Sequence, residues 1–469
     1  MARKPDIRLT VGLVVEATSA ALVSGDAGRE FAGVSIDTRT IRPGELYVAI
    51  RGERFDGVDF VDAAFRAGAG GVVVPRGRGR DVEGSPSEAV LEVGDTVAAL
   101  QALAYHVRRE SGAKVVAITG SAGKTTTKEV TADFLSATYR VIRNRGNFNN
   151  HIGLPLSLME LTARPDVAVV ELGMNHAGEI STLVGIAEPD VRVWTNVGDA
   201  HLEFFASPAA LADAKAEILE RANASTVLVS NADDDLIAAR TMAFGGRVVT
   251  FGMERPATVR ASDIVDRGVE GTNARVSTPR GAIDITTPLI GRANLANVLA
   301  AMAVALELDV PLVEMADRAR RLKPSAHRGE VVRLAGGTTV IDDSYNANPT
   351  ATRKALDVLA GVRTARRVAV IGEMLELGER SISLHEEVGR AAHERVDVLV
   401  AVGGEPAAAL ARAALAAGMP ATAVRHFATS EDAAAAFSQW SRPGDVVLVK
   451  GSRGIRTDRI VDRLRVELA

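Results

Sequence analysis

Lys124 and Thr125 follow a glycine turn, Thr119-Gly120-Ser121-Ala122-Gly123-Lys124-Thr125-Thr126, whose residue types suit the grip of phosphate. Glycines let a backbone curl so that successive N–H groups point at phosphate oxygens. A helix beginning there adds the favourable end of its dipole. The lysine would reach the β- and γ-phosphates, and the threonine hydroxyl would bind Mg²⁺. The apolar run Lys114–Thr119 ahead of the turn has the pattern of a buried strand, and 125–137 reads as helix. The general P-loop pattern has glycine where Ile118 stands, so Gly120-x-x-Gly123 is a shorter register. An incidental lysine after a glycine turn is the bland alternative, which the strand–loop–helix setting disfavours. The loop implies ATP or GTP without fixing the reaction.

Three further residues follow predicted strands of the same region. They are Glu171, His201 and, on the next helix, Lys215. Ligands of open α/β sheets gather at the carboxyl ends of strands, and Mg²⁺ prefers oxygen donors. The alternatives are a helix-capping or loop carboxylate, a solvated histidine and an exposed helix lysine. Asn147, Asn149 and Asn150 crowd polar donors into one short loop with His151. They suit either a turn or a polar substrate. Asp343, Asn346 and Asn348 lie between a predicted strand and a helix, at another ligand-facing edge or a polar helix cap.

The elements that must position these groups form an α/β chain with a mostly parallel central sheet. Strands are expected at 45–50, 71–75, 114–119, 166–172, 191–197, 226–230 and 247–251. Helices are expected from an Asp95 cap, at 208–222 and at 294–306. The segment 257–288, short and alternating, reads as an antiparallel insert. A linker at Lys323-Pro324-Ser325 introduces a second α/β pattern, with strands at 338–341, 367–371, 396–402 and 446–449 and an alanine-rich helix at 407–417. Three domains are expected, at 1–94, 95–322 and 323–469.

The net charge of -4, from 55 basic and 59 acidic residues, argues against a general nucleic-acid binder. The chain has no cysteine, which removes disulfides, thiolate zinc sites and thiol nucleophiles. The N-terminus has no signal-peptide pattern, and no apolar run is long enough to span a membrane. A soluble, cytoplasmic, monomeric protein is the expectation.

In order along nearly the whole chain, these motifs resemble the Mur ligase superfamily. The phosphate loop, Asn147–Pro155, Glu171–Glu179, Gly291–Asn297, Ser344–Pro349 and Lys450-Gly-Ser-Arg453-Gly are similar to its D-alanyl-D-alanine-adding branch. The resemblance implies a small N-terminal α/β UDP-sugar domain, a central P-loop-type ATPase domain and a C-terminal Rossmann-like domain. It implies ATP and Mg²⁺, with UDP-N-acetylmuramoyl-tripeptide and D-alanyl-D-alanine as partners. Gly120, Ser121, Ala122, Gly123, Lys124, Thr125 and Thr126 would hold the nucleotide. Asn294 and Asn297 would face adenine, Arg328 the γ-phosphate, and Asp343, Asn346 and Asn348 the same cleft. Thr125, Glu171, His201 and a carbamylated Lys215 would hold metal. Lys124, His201, Lys215 and Arg328 would carry catalysis. Ser35, Asp37, Thr38 and Arg39, with Asn147, Asn149 and Asn150, would meet the UDP-sugar peptide. Many members of the family have glycine where His327 precedes Arg328 here. The Asp-Asn-Pro-Arg segment of diaminopimelate-adding members is absent. Another amino-acid-adding ligase, or a P-loop switch, is the rival reading.

Overall fold

The computed structural model describes residues 4–82, 88–199, 203–205, 207–242 and 244–467. The chain divides into two compact units. One holds residues 1–118, 138–192 and 220–226; the other holds 119–137, 193–219 and 227–469.

The first unit opens with a five-stranded sheet of β1 (Ala21–Ser24), β2 (Val34–Ser35), β3 (Leu46–Val48), β4 (Gly71–Pro75) and β5 (Ala89–Val93). Its order is β1-β5-β4-β3-β2, parallel except for the edge strand β1. Tyr47, Val61, Ala64, Val72, Val74 and Val90 pack its core. The helix Thr96–Ser111 starts where expected. Asp95 accepts a hydrogen bond from the Ala98 N–H at 2.8 Å, and Gly112 ends the helix at φ 69°. That φ is the left-handed one that glycine adopts without a steric penalty.

The second sheet has β6 (Lys114–Thr119), β7 (Val141–Arg143), β8 (Val167–Glu171), β9 (Val191–Trp194), β10 (Val227–Asn231), β11 (Arg247–Gly252), β12 (Val259–Asp266), β13 (Thr272–Thr278) and β14 (Gly281–Thr287). Their order is β14-β13-β12-β11-β10-β9-β6-β8-β7. In the first unit β8 pairs in parallel with β6 and β7, and Ile118 stands opposite Glu171. The near-continuous Val/Ala/Ile runs of β6 and β8 follow from burial on both faces. Glu171 therefore closes a buried strand at its carboxyl end.

In the second unit β10 and β11 run parallel, and β12, β13 and β14 form the antiparallel insert read from the sequence. The insert joins β11 by a short parallel pairing. The helix Gly291–Glu307 begins three residues before its expected start and is buried along most of its length. Pro208–Ala216 is shorter than expected and passes into a 3₁₀ turn, Glu217–Leu219. The helix Leu312–Ala319 had no counterpart in the sequence reading.

The third sheet, also in the second unit, contains β15 (Glu330–Arg333), β16 (Thr339–Asp343), β17 (Arg367–Gly372), β18 (Val398–Val402), β19 (Val424–Phe427) and β20 (Val446–Lys450). The order is β15-β16-β20-β17-β18-β19, with only β15 antiparallel. Apolar clusters cover it, one around Leu356, Leu399 and Leu448, the other around Val400, Trp440 and Ile460. Parallel register sets Asp343 beside Lys450 at the carboxyl ends of β16 and β20. Among the described residues no helix is long and apolar enough to cross a membrane.

Candidate active site

The phosphate loop leaves β6 and enters the helix Lys124–Leu135 within the second unit. Its shape is fixed from below by the end of β9. Thr195 donates to the Ala122 carbonyl at 2.9 Å. Asn196 brackets Ala122, accepting from its N–H and donating to its carbonyl, both at 2.9 Å. Ser121 exchanges hydrogen bonds with the Gly198 backbone at 3.0 and 3.2 Å. Two glycines are required outright. Gly120 has φ 150°, and a Cβ there would lie 1.9 Å from Thr195 Oγ1. Gly123 has φ 80°, and a Cβ there would lie 2.2 Å from Asn297 Oδ1. The helix begins at Lys124, so the backbone N–H groups of its first turn lie outside the intrahelical ladder and suit an anion. The Lys124 ammonium folds back to the Gly120 carbonyl at 2.9 Å.

Asn297 links this loop to the next group of residues. It accepts from Thr127 Oγ1 and donates to Asn294 Oδ1, both at 3.2 Å, and Asn294 donates to the Ile290 carbonyl at 3.0 Å. A Cβ on Gly329 would sit 3.8 Å from Asn294 Nδ2, so the His327-Arg328-Gly329 turn lies against the Asn294 amide. Arg328 stacks its guanidinium 4.0 Å from the centre of the Tyr345 ring, and Arg453 approaches the same ring at 5.9 Å. Such stacking holds a guanidinium in place. Lys450 donates to Asp343 Oδ2 at 2.6 Å and to the Asn346 carbonyl at 2.9 Å. Asn348 caps the helix Pro349–Ala360, accepting from the Ala351 N–H at 2.8 Å. Thr350 and Arg353 of that helix donate to Asp199 Oδ2 at 2.7 and 3.0 Å.

Lys215 is 1% exposed, so it is not the surface lysine that its sequence position allowed. Burial first, and the charge of Lys124 second, push its amine well below the ordinary lysine range. His201 lies outside the described residues. Thr125 and Thr126 lie half-buried in the first turn after the loop.

In the first unit Glu171 is buried, and it is neither a cap nor a loop carboxylate. Asn149 donates to its Oε1 at 2.8 Å, and Asn144 accepts from its backbone N–H at 3.0 Å. Asn150 accepts from the Gly153 N–H at 2.8 Å, just ahead of the helix Gly153–Leu158, while Asn147 is exposed. Asp37 and Arg39 form a two-pronged pair at 2.9 and 2.7 Å. Arg39 holds the Asp37 carboxyl below its usual range. Ser35 bonds the Asp37 backbone at 3.2 Å, and Thr38 occupies the same turn. Tyr47, buried close by, donates to the Gly57 carbonyl at 3.0 Å. Burial and the nearby Asp37 and Asp56 charges push its hydroxyl up to about 12.

Residues 30–108 match the Mur ligase family catalytic domain, 118–305 the Mur ligase middle domain, and 327–453 the Mur ligase glutamate ligase domain. The UDP-N-acetylmuramoyl-tripeptide–D-alanyl-D-alanine ligase of Bacillus subtilis (strain 168) is 34% identical over 92% of this chain and 93% of its own. The chain belongs to the Mur ligase family. MurF from Acinetobacter baumannii superposes with a TM-score of 0.87 at 31% identity, covering 99% of this chain and 100% of that one. The MurF ligase of Thermotoga maritima, solved in complex with ADP, gives 0.80 at 30% identity, covering 93% and 97%. The three sheets correspond to the N-terminal, middle and C-terminal parts of a Mur ligase.

Sequence reasoning gave no individual role to several residues that hold these groups in place. Thr195 and Asn196 mould the phosphate loop, Asn144 fixes Glu171, and Lys450 ties Asp343 to the Asn346 turn. One signal was available: each follows or ends an apolar strand, where a polar side chain needs a partner.

Proposed function

We propose that the chain joins D-alanyl-D-alanine to UDP-N-acetylmuramoyl-tripeptide at the expense of ATP, releasing ADP and phosphate, in peptidoglycan precursor synthesis. The observation that carries the site assignment is the continuous set Gly123–Asn297–Asn294–Gly329–Arg328, which lines the phosphate loop up with a stacked guanidinium in one compact unit. Residues 1–94, 95–322 and 323–469 serve as UDP-sugar, ATP and closing domains.

The tripeptide's terminal carboxylate attacks the γ-phosphorus, and ADP leaves with the electron pair of the broken P–O bond. This converts a poor electrophile into an acyl phosphate. The free amine of D-alanyl-D-alanine attacks the acyl carbon, gives up a proton, and phosphate departs. The catalysis asked of the protein is positioning and charge neutralisation. The loop N–H groups, Lys124 and Arg328 neutralise the phosphates. Asn294 and Asn297 present amides to the adenine. Asn147, Asn149 and Asn150, with Ser35, Asp37, Thr38 and Arg39, bind the UDP-sugar peptide.

Among the described residues no three His, Asp or Glu converge. Magnesium needs no such cage, because it is commonly held by one or two carboxylates plus phosphate oxygens and water. Glu171, a buried carboxylate oriented by Asn149, fits that role, with Thr125 and His201 as further ligands. Bound magnesium would neutralise the charge that builds on the transferring phosphate. Burial lowers the pKa of the Lys215 amine, which favours the neutral form that adds carbon dioxide, and the adduct would be a carboxylate-like ligand.

The test is omission. Phosphate release from ATP should require both the UDP-sugar tripeptide and D-alanyl-D-alanine. Release at an equal rate without either acceptor would favour a nucleotide switch instead.

A further inference from the structure

His327 holds a backbone conformation that its side chain disfavours. Its φ is 62°, in the left-handed region where a Cβ crowds the following carbonyl. Such strain persists only when the surroundings over-determine it. Here both ends of the residue are tied to one short segment. The His327 carbonyl accepts from the Tyr345 N–H at 3.1 Å. Its Nδ1 donates to Asp342 Oδ2 at 2.9 Å. Asp342 is fully buried, and Ser344 donates to its other oxygen at 2.6 Å. Arg465 stands 3.9 Å from Oδ2. A buried carboxylate whose lone pairs are taken from several sides is a rigid anchor.

The consequence falls on the next residue. Arg328 leaves the strained turn directly over Tyr345, whose own N–H fixes the carbonyl before it. A guanidinium on a long side chain has many rotamers, and pinning the turn and its stacking ring together removes most of them. From this geometry we propose that His327 is a positioning residue. Through Asp342 it fixes the turn that aims Arg328, and so sets how well Arg328 meets the transferring phosphate. This rests on the reading of Arg328 given above. His327 itself touches no substrate.

The experiment compares H327G, R328A and the double variant with the native full-length chain. Glycine accepts the left-handed φ, so H327G removes the anchor while relieving the strain. Its melting temperature should stay within a few degrees of native. Its kcat/KM for ATP should fall roughly tenfold, while KM for the UDP-sugar tripeptide stays unchanged. H327G/R328A should be no worse than R328A, because the histidine acts only through the arginine. D342N, if it folds, should reproduce H327G. A folded H327G with native kcat/KM for ATP, beside an impaired R328A, would overturn the positioning role alone. Fully additive losses in the double variant would also overturn it. A fully active R328A would overturn the assignment of the arginine itself.

Discussion

Lys215 is 1% exposed, and a protonated amine cannot be folded into such a place without losing its hydration. Its folded-state pKa lies well below the ordinary 10.5. Between the two values the unfolded chain holds one proton more than the folded chain. Stability therefore rises with pH across that window and falls as pH drops toward the folded value. K215M lacks this slope. In carbonate-free buffer K215M should melt above the native chain at pH 7, with the gap closing toward pH 10, as scanning calorimetry can follow. An equal gap at every pH would deny the buried neutral amine. Its activity should nonetheless be lost, as the proposed role of Lys215 at the metal requires. Gly123 makes a second case. G123A must bring a methyl to within 2.2 Å of Asn297 Oδ1 at an unfavourable φ. ADP binding by titration calorimetry should weaken by more than tenfold, with part of the loss recovered in G123A/N297A.

The same residues act through the elements that carry them. Glu171 ends β8, and the Asn147–Asn150 loop supplies the amide that orients it. N149A should leave the melting temperature nearly unchanged and raise the magnesium concentration needed for half-maximal activity. An unchanged magnesium dependence would separate Glu171 from the metal. Asn348 caps the helix Pro349–Ala360, and N348A should lower stability by about 1 kcal/mol in urea titrations. Much at this scale was legible in the sequence. Lys114–Thr119 read as a buried strand because a strand covered on both faces must be apolar throughout. Asp95 marked the start of its helix because the first turn needs an acceptor. Other features were not legible. The role of Thr195 depends on β9 ending under the phosphate loop, and that of Lys450 on β20 lying beside β16. Both are register facts between segments distant in sequence. Pro208–Ala216 stops early without proline or glycine to mark its end. The left-handed φ of His327 has no local sequence signal, since histidine rarely adopts it.

For the molecule as a whole, the candidate residues fall in two compact units. The first holds Glu171 and the asparagine loop; the second holds the phosphate loop, Lys215 and the Arg328 stack. A ligase built this way must pass the γ-phosphate to a carboxylate oxygen before the new amide forms. Oxygen bookkeeping tests that order most directly. UDP-sugar tripeptide labelled with ¹⁸O in its terminal carboxylate would be turned over with ATP and D-alanyl-D-alanine, and the released phosphate weighed by mass spectrometry. The account predicts one ¹⁸O in each phosphate and the other in the new amide carbonyl. Phosphate free of the label, with D-alanyl-D-alanine still incorporated, would contradict it.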